Sequence, residues 1–311
     1  MFRKYEYVYM LYQEGSFTRA AEKLFISQPS LSVAVQNVEK ELGAILFERT
    51  GSGVRPTEAG MAYISAVQQV MQIEKELKDK ILDLNGLEAG HITVGGSNYL
   101  SSYVLPRVIN AFSTQYPKVK VELVEANSHT LLELLHQDQV DIIVDNYDDP
   151  EDTAYPLVEE QILLCVPKRY SINRGLETCR IRPDDIYSGT VVLDTVPCVP
   201  MEAFQDEKFI LLKPENDMFR RAKGIFEKNH LDPEVVFSVD QLNIAYAMSA
   251  SGNGLTFVTD TFFKYGRFRD DVHLYRPGPN CNRKLYIAHR RNKYCTRAMT
   301  AFIRMAEKVV K

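Results

Sequence analysis

Three patterns in this 311-residue sequence predict a helical N-terminal domain ending in a two-stranded wing, then one long helix, then an α/β region built on a parallel, doubly wound sheet. The first is the stretch FISQPSLSVAVQNVEKELG, from Phe25 to Gly43, a capped amphipathic helix whose outer face is unusually small. The second is a run from Thr57 to Leu84 broken by Gly60 alone. The third is a change of period from His91 onward, where short apolar strands alternate with amphipathic helices.

The N-terminal elements follow in order. Phe2 to Glu14 is helical in pattern, with Val8, Leu11 and Tyr12 on a shared face and Gly15 as its stop. SFTRAAEKLF gives a short second helix, capped by Ser16 or Thr18, in which Ala20 and Ala21 let a neighbouring helix come close. Ser27 is a good N-cap for the third helix, and Pro29 falls in its first turn, where a missing N–H costs nothing. Leu31, Val35, Val38 and Leu42 form its apolar stripe, and Gly43 ends it. Opposite that stripe lie Pro29, Val33, Gln36, Asn37 and Lys40, with Gln28, Ser30 and Ser32 on the shoulders. An ordinary solvated face would carry Glu and Lys, whereas no acid occurs here before Glu39, which suits the approach of something negatively charged. The tight Phe25–Ile26–Ser27 link makes the second and third helices a helix-turn-helix. LFERTGSGVRPT then reads as a two-stranded wing with Arg49 and Arg55 on either side of its turn.

The long helix carries Ala66, Val70, Ile73, Leu77, Ile81 and Leu84 at a spacing close to an a/d seam. Such a helix between two globular parts has no core of its own, so the same helix of a second subunit is the simplest cover for the seam. A homodimer is expected from the seam; a homotetramer is added only by the family resemblance described below.

Beyond it, HITVG, KVKVELVE and VDIIVD alternate with helices starting near Leu100 and His129. A second series contains QILLCVP, VVLD (191–194), FILL, a helix near Asp217–Lys228, VVFSV, a helix near Gln241–Ser251, and LTFV. KLYIAHR and a helix from Thr296 to Lys311 close the chain. In open α/β sheets, ligands sit beyond the C-termini of strands, where helix N-termini offer unpaired N–H groups. Ser97, Asn98, Ser128, His129 and Asn146 fall at such places and are candidate ligand-binding residues; Lys213 and Asn216, between FILL and the next helix, join them by the family resemblance described below. Asp145, Glu215 and Asp217 add negative charge there, so a simple carboxylate and a zwitterionic or amine-bearing metabolite stand as equal candidates.

Composition sets limits. The net charge is −4, and residues 1 to 60 hold seven basic and seven acidic side chains, so any nucleic-acid contact must come from local arrangement rather than bulk charge. The N-terminus has no signal-peptide pattern and no apolar run is long enough to span a bilayer, so a cytoplasmic protein is expected. Five dispersed cysteines form no CxxC pair, which argues against zinc or a disulfide framework and leaves no metal or cofactor indicated. No HExxH, GxSxG or P-loop motif occurs, which argues against an enzyme.

The run FTRAAEKLFISQPSLSVAVQNVEKELGAILFERTGSGVRPTEAG resembles the DNA-binding end of the LysR-type transcriptional regulators of bacteria almost position by position, and the rest of the chain follows their layout. The resemblance implies an α-helical winged helix-turn-helix domain (1–58), a linker and dimerisation helix (59–90), and a two-lobed effector domain (91–311) similar to type 2 periplasmic binding proteins. Lobe 1 would comprise about 91–163 plus 268–311, and lobe 2 about 164–267. By the same resemblance Ser27, Gln28, Pro29, Ser30, Ser32 and Gln36 face DNA, with Arg49 and Arg55 suited to phosphates. The expected partners are double-stranded DNA with a pseudo-palindromic site, a second copy of the chain and RNA polymerase; the expected effector is a small organic metabolite. Some relatives sense peroxide through cysteine, and Cys198 is the loop-placed candidate for that alternative. A solute-binding protein is a remoter alternative.

Overall fold

The structure, a computed structural model, describes residues 5–51, 53–84, 90–146, 152–268 and 270–310. The side chains of Arg49 and Leu84 lie outside the described set. Two compact units divide the chain, Met1–Ile81 and Leu82–Lys311.

The first unit begins with α1 (Tyr5–Glu14), α2 (Phe17–Lys23) and α3 (Gln28–Leu42). Val8, Leu11, Ala20, Ala21, Leu31, Val35 and Val38 bury together, so the stripe read from the sequence is the core-facing side of α3. Ser27 caps α3 by accepting from Ser30 N at 3.2 Å, and Gly43 ends it with φ 72°. Ser16 occupies the N-cap position of α2 without a side-chain capping bond. The turn between α2 and α3 places Phe25 in the left-handed region (φ 54°), with its ring 95% exposed. The wing is β1 (Phe47–Thr50) and β2 (Gly53–Pro56), antiparallel, with Arg49 opposite Val54. Its base is fastened twice. Glu39 Oε1 accepts from Leu46 N (2.8 Å) and Phe47 N (3.3 Å), and Val54 N donates to Gly15 O at 3.0 Å.

The long helix α4 (Glu58–Leu84) starts where Thr57 caps it: Gly60 N donates to Thr57 Oγ1 (3.0 Å), and that hydroxyl donates to Ile45 O (2.7 Å). Tyr63, Ile64 and Val67 bury in the first unit. Beyond them Ile73, Leu77 and Ile81 are 66%, 58% and 51% exposed, while Ala66 and Val70 are half-buried.

In the second unit β3 (Gly90–Gly96) runs parallel to β4 (Val119–Glu125) and β5 (Ile142–Asp145), with α5 (Leu105–Gln115) and α6 (Ser128–His136) as crossovers. The glycine pair at the end of β3 admits those helices: an added Cβ would stand 2.8 Å from Leu131 Cδ2 at Gly95 and 2.6 Å from Leu105 Cδ1 at Gly96. The strand β6 (Asp152–Pro167) is sixteen residues long, far longer than QILLCVP suggests. Its first half pairs with β11 (Asn282–Arg290), which also pairs with β5; its second half pairs with β9 (Thr256–Thr259) and β10 (Val272–Tyr275). Between these lie α7 (Pro183–Tyr187), the parallel pair β7 (Phe209–Leu212) and β8 (Val235–Val239), α8 (Asp217–Lys228), α9 (Leu242–Ala250) and α10 (Asp260–Tyr265). Finally α11 (Arg297–Val310) packs against α5 through Phe302 and Phe112, whose rings meet edge to face at 5.3 Å.

Two sequence expectations change. VVLD is no strand: Leu193–Thr195 is a 3₁₀ turn and Val192 is 65% exposed, because no neighbouring strand supplies a ladder there. The helix expected from Leu100 opens as one π turn, Leu100–Val104, before α5. No described helix is long and apolar enough to cross a membrane.

The junction of wing and long helix has no spare volume, since a Cβ added at Gly60 would overlap the Leu46 carbonyl oxygen. Gly60→Ala is therefore expected to lower stability by about 2 kcal/mol or more. Gly224→Ala, in α8 with open space around its would-be Cβ, should be neutral or stabilising by up to about 1 kcal/mol. Urea unfolding of the two variants, read against the parent chain, measures both.

Candidate functional site

Two constellations stand out, one in each unit. In the first, the N-terminal half of α3 offers its solvent side. Ser27, Pro29, Ser30 and Gln36 are exposed, Gln28 and Ser32 are half-buried, and Val33, Asn37 and Lys40 extend the same surface. Ser27 Oγ and Ser30 Oγ lie 2.7 Å apart, so the cap hydroxyls form a fixed pair. Gln28, Ser32 and Gln36 recur every fourth residue, which aligns two amides and a hydroxyl along one line of the helix. Glu39, the first acid of the helix, turns to the wing backbone. Arg55 is exposed on β2. The arrangement is a helix side with hydrogen-bonding tips, an apolar contact at Pro29 and no carboxylate aimed outward in its first two turns.

In the second unit a cleft of about 430 Å³ opens where β3, β4, β5, β7 and β8 end. Ser97, Asn98, Ser128, Lys213 and Asn216 line it. Ser97 Oγ and Asn98 Oδ1 are buried there without a hydrogen-bond partner. Asn127 and Asn216 cap α6 and α8 by accepting from Thr130 N (2.9 Å) and Met218 N (3.0 Å). The other two candidates stand apart from the lining. His129 is 73% exposed at its side chain and lies 3.7 Å from Glu133, one turn along α6, and Asn146 donates to Lys284 O at 3.0 Å.

The inner wall holds groups that sequence reading did not single out. Arg283, 4% exposed, donates from Nε to Glu160 Oε2 (2.6 Å) and from Nη2 to Tyr99 Oη (2.7 Å), and its Nη1 lies 3.5 Å from Asp217 Oδ2. Tyr99 Oη in turn donates to Glu160 Oε1 at 2.7 Å. Burial alone would lower the guanidinium pKa, but Glu160 foremost, then Tyr99, Asp217 and Asp145, hold it well above its usual value. The Tyr99 hydroxyl is driven far up, chiefly by burial. Asp145 accepts from Ser128 Oγ at 2.7 Å; burial still holds its carboxyl above the usual carboxylate range. Glu125, Asp240 and Gln241 complete the rim, and Lys213 pairs with Asp240 at 2.8 Å. No local signal singled them out, since Arg283 stands between Asn282 and Lys284 and Glu160 between Glu159 and Gln161. The pair is 123 residues apart.

No cysteine lines the cleft. All five thiols are free, burial pushes Cys165 up to about 12 and also raises Cys281, and Cys198 is half-buried. No group of His, Cys, Asp and Glu suited to a metal ion occurs among the described residues.

A helix-turn-helix with a wing, joined in one chain to a ligand-cleft domain of this topology, defines a DNA-binding regulator with a sensing domain. Residues 2–61 match the model of the bacterial regulatory helix-turn-helix proteins of the lysR family, and residues 85–311 match the LysR substrate binding domain. The chain belongs to the LysR family of transcriptional regulators. A probable RuBisCO transcriptional regulator of Synechocystis sp. is 29% identical over 301 residues, covering 94% of this chain and 81% of that protein. The dual regulator OxyR of Escherichia coli is 28% identical over 279 residues, covering 88% and 84%. Among solved structures, full-length CbnR in complex with its target DNA matches with a TM-score of 0.67 at 18% identity, covering 99% of each chain.

The buried charge network makes a sharp demand. Arg283→Met would leave Glu160, fully buried, without its cation, and should cost about 3–5 kcal/mol. Adding Glu160→Gln to that variant should recover part of the loss. Chemical unfolding of the three forms is the check; an additive double variant would contradict the coupling.

Proposed function

We propose that this regulator reads a pseudo-palindromic DNA site with α3 in the major groove and the wing on phosphates, as a homodimer or homotetramer joined through α4. A small organic metabolite in the cleft controls it. The observation that carries the reading is the solvent side of α3, with Gln28 and Gln36 in line, Pro29 exposed and the first acid turned away into the wing. Amide side chains can bond base edges bidentately, a proline ring can meet a thymine methyl, and Ser27, Ser30, Ser32, Arg49 and Arg55 suit backbone oxygens. The exposed series Ile73, Leu77 and Ile81 supports pairing through α4, since apolar side chains at that spacing are covered by a partner helix in a coiled coil. Two-fold symmetry then matches two half-sites.

In the cleft, the unpartnered Ser97 and Asn98 oxygens support a ligand site rather than a packed core, because buried polar atoms are ordinarily satisfied. Binding would shift the population between two packings of the C-terminal domains, and so change the spacing of the α3 pair, DNA bending and contact with RNA polymerase. A binding role rather than catalysis is supported by Ser128 and Asp145 bonding to each other with no histidine in the lining. We place this work in the cytoplasm, where the DNA is.

Gln28→Ala should cut discrimination between operator and random DNA by about 1–3 kcal/mol, whereas Arg55→Ala should weaken both and reduce the salt slope by about one. Titrations of both variants on both DNAs at several salt concentrations decide it, and equal losses for both would refute the assignment. Leu77→Asp should shift the protein toward monomer in sedimentation velocity and lower operator affinity with it.

A further inference from the structure

This inference rests on the cleft being the effector site and names the class of ligand. Each cation that lines the cleft is already committed. Arg283 is enclosed by Glu160, Asp217 and Tyr99, and Lys213 is held by Asp240. The acids are not so balanced: among the described residues Glu125, Asp145 and Glu215 line the same space without an ion pair. An incoming carboxylate or phosphate would meet two cations already in salt bridges and three carboxyl groups that have none.

The unfilled hydrogen-bonding capacity points the same way. Asn98 Oδ1 can only accept, Ser97 Oγ can accept, and both are buried and unpartnered. Asp145 takes one bond from Ser128 and one from the Asn146 N–H, and an ionised carboxylate has further lone pairs to offer. These acceptors leave adjacent strands side by side, because β3 and β5 pair in parallel with Gly96 opposite Val144, one residue before Ser97 and Asp145. A group with three N–H donors and a positive charge satisfies all three at once. It would also favour the ionised form of Asp145, which burial disfavours. The volume, about 430 Å³, suits a small metabolite.

We infer that the effector carries a primary ammonium group, seated against Asp145 with Ser97 and Asn98 as its further acceptors, and is a small amine or zwitterion rather than a dicarboxylate or phosphate.

The test is thermal unfolding of the full-length chain at neutral pH with two probe sets. One contains 4-aminobutanoate, lysine and 1,5-diaminopentane; the other contains succinate, glutarate and inorganic phosphate. The expected result is a raised Tm with members of the ammonium set alone, with apparent affinity at least tenfold weaker in Asp145→Asn and also weakened in Glu125→Gln, a rim residue outside the core. Stabilisation by carboxylates or phosphate alone, lost in Ser128→Val, would overturn the ammonium assignment while keeping the cleft as the effector site. An ammonium response that survives both Asp145→Asn and Glu125→Gln would overturn it as well. No response to any probe would count against both the ligand class and the cleft.

Discussion

The second unit is organised around one buried guanidinium. Arg283 on β11 meets Glu160 on β6, Asp217 at the start of α8 and Tyr99 just after β3, so a single side chain joins elements that are distant in sequence. A buried cation is costly unless charge and geometry compensate it, and here two carboxylates and a phenol do so. The arrangement fixes where the cleft's inner wall stands. It also means that the one arginine in the lining is already paired.

The DNA-reading half depends on a smaller device of the same kind. Glu39, the first acid of α3, is held by the Leu46 and Phe47 amides. Those two bonds satisfy the backbone entering the wing. Gly15 and Gly53 then let the wing backbone come against the α1–α2 turn, where Val54 N meets Gly15 O at 3.0 Å. The position of Arg55 therefore follows from helix caps and glycines rather than from its own contacts.

Much of this was legible in the sequence where the information is local. Ser27, Pro29 and Gly43 bound α3 as their chemistry dictates, and the Leu31, Val35 and Val38 stripe is the buried one. The candidate cleft residues Ser97, Ser128 and Asn216 were found because strand ends and helix starts carry local signals. Non-local features were not legible. Arg283 and Glu160 stand among polar neighbours and look like surface residues until the fold brings them together, and β6 extends through Pro156, a residue that by itself suggests an end to a strand. His129 follows Ser128 by one residue and so leaves α6 in another direction, toward Glu133; one residue is enough to separate lining from solvent on a helix. VVLD failed for the opposite reason, since β-branched residues favour a ladder that the surrounding chain does not provide.

The continuity of β6 constrains how this sensor can move. Its sixteen residues carry the ladder with β11 at one end and the ladders with β9 and β10 at the other, without a break between them. A clamshell on flexible straps could swing widely at little cost, but here closing or opening must twist a hydrogen-bonded ribbon. The place where that ribbon yields is already marked, since the register slips between Leu285 and Tyr286, opposite Val158 and Pro156, so bending falls on a bulge rather than on a free linker.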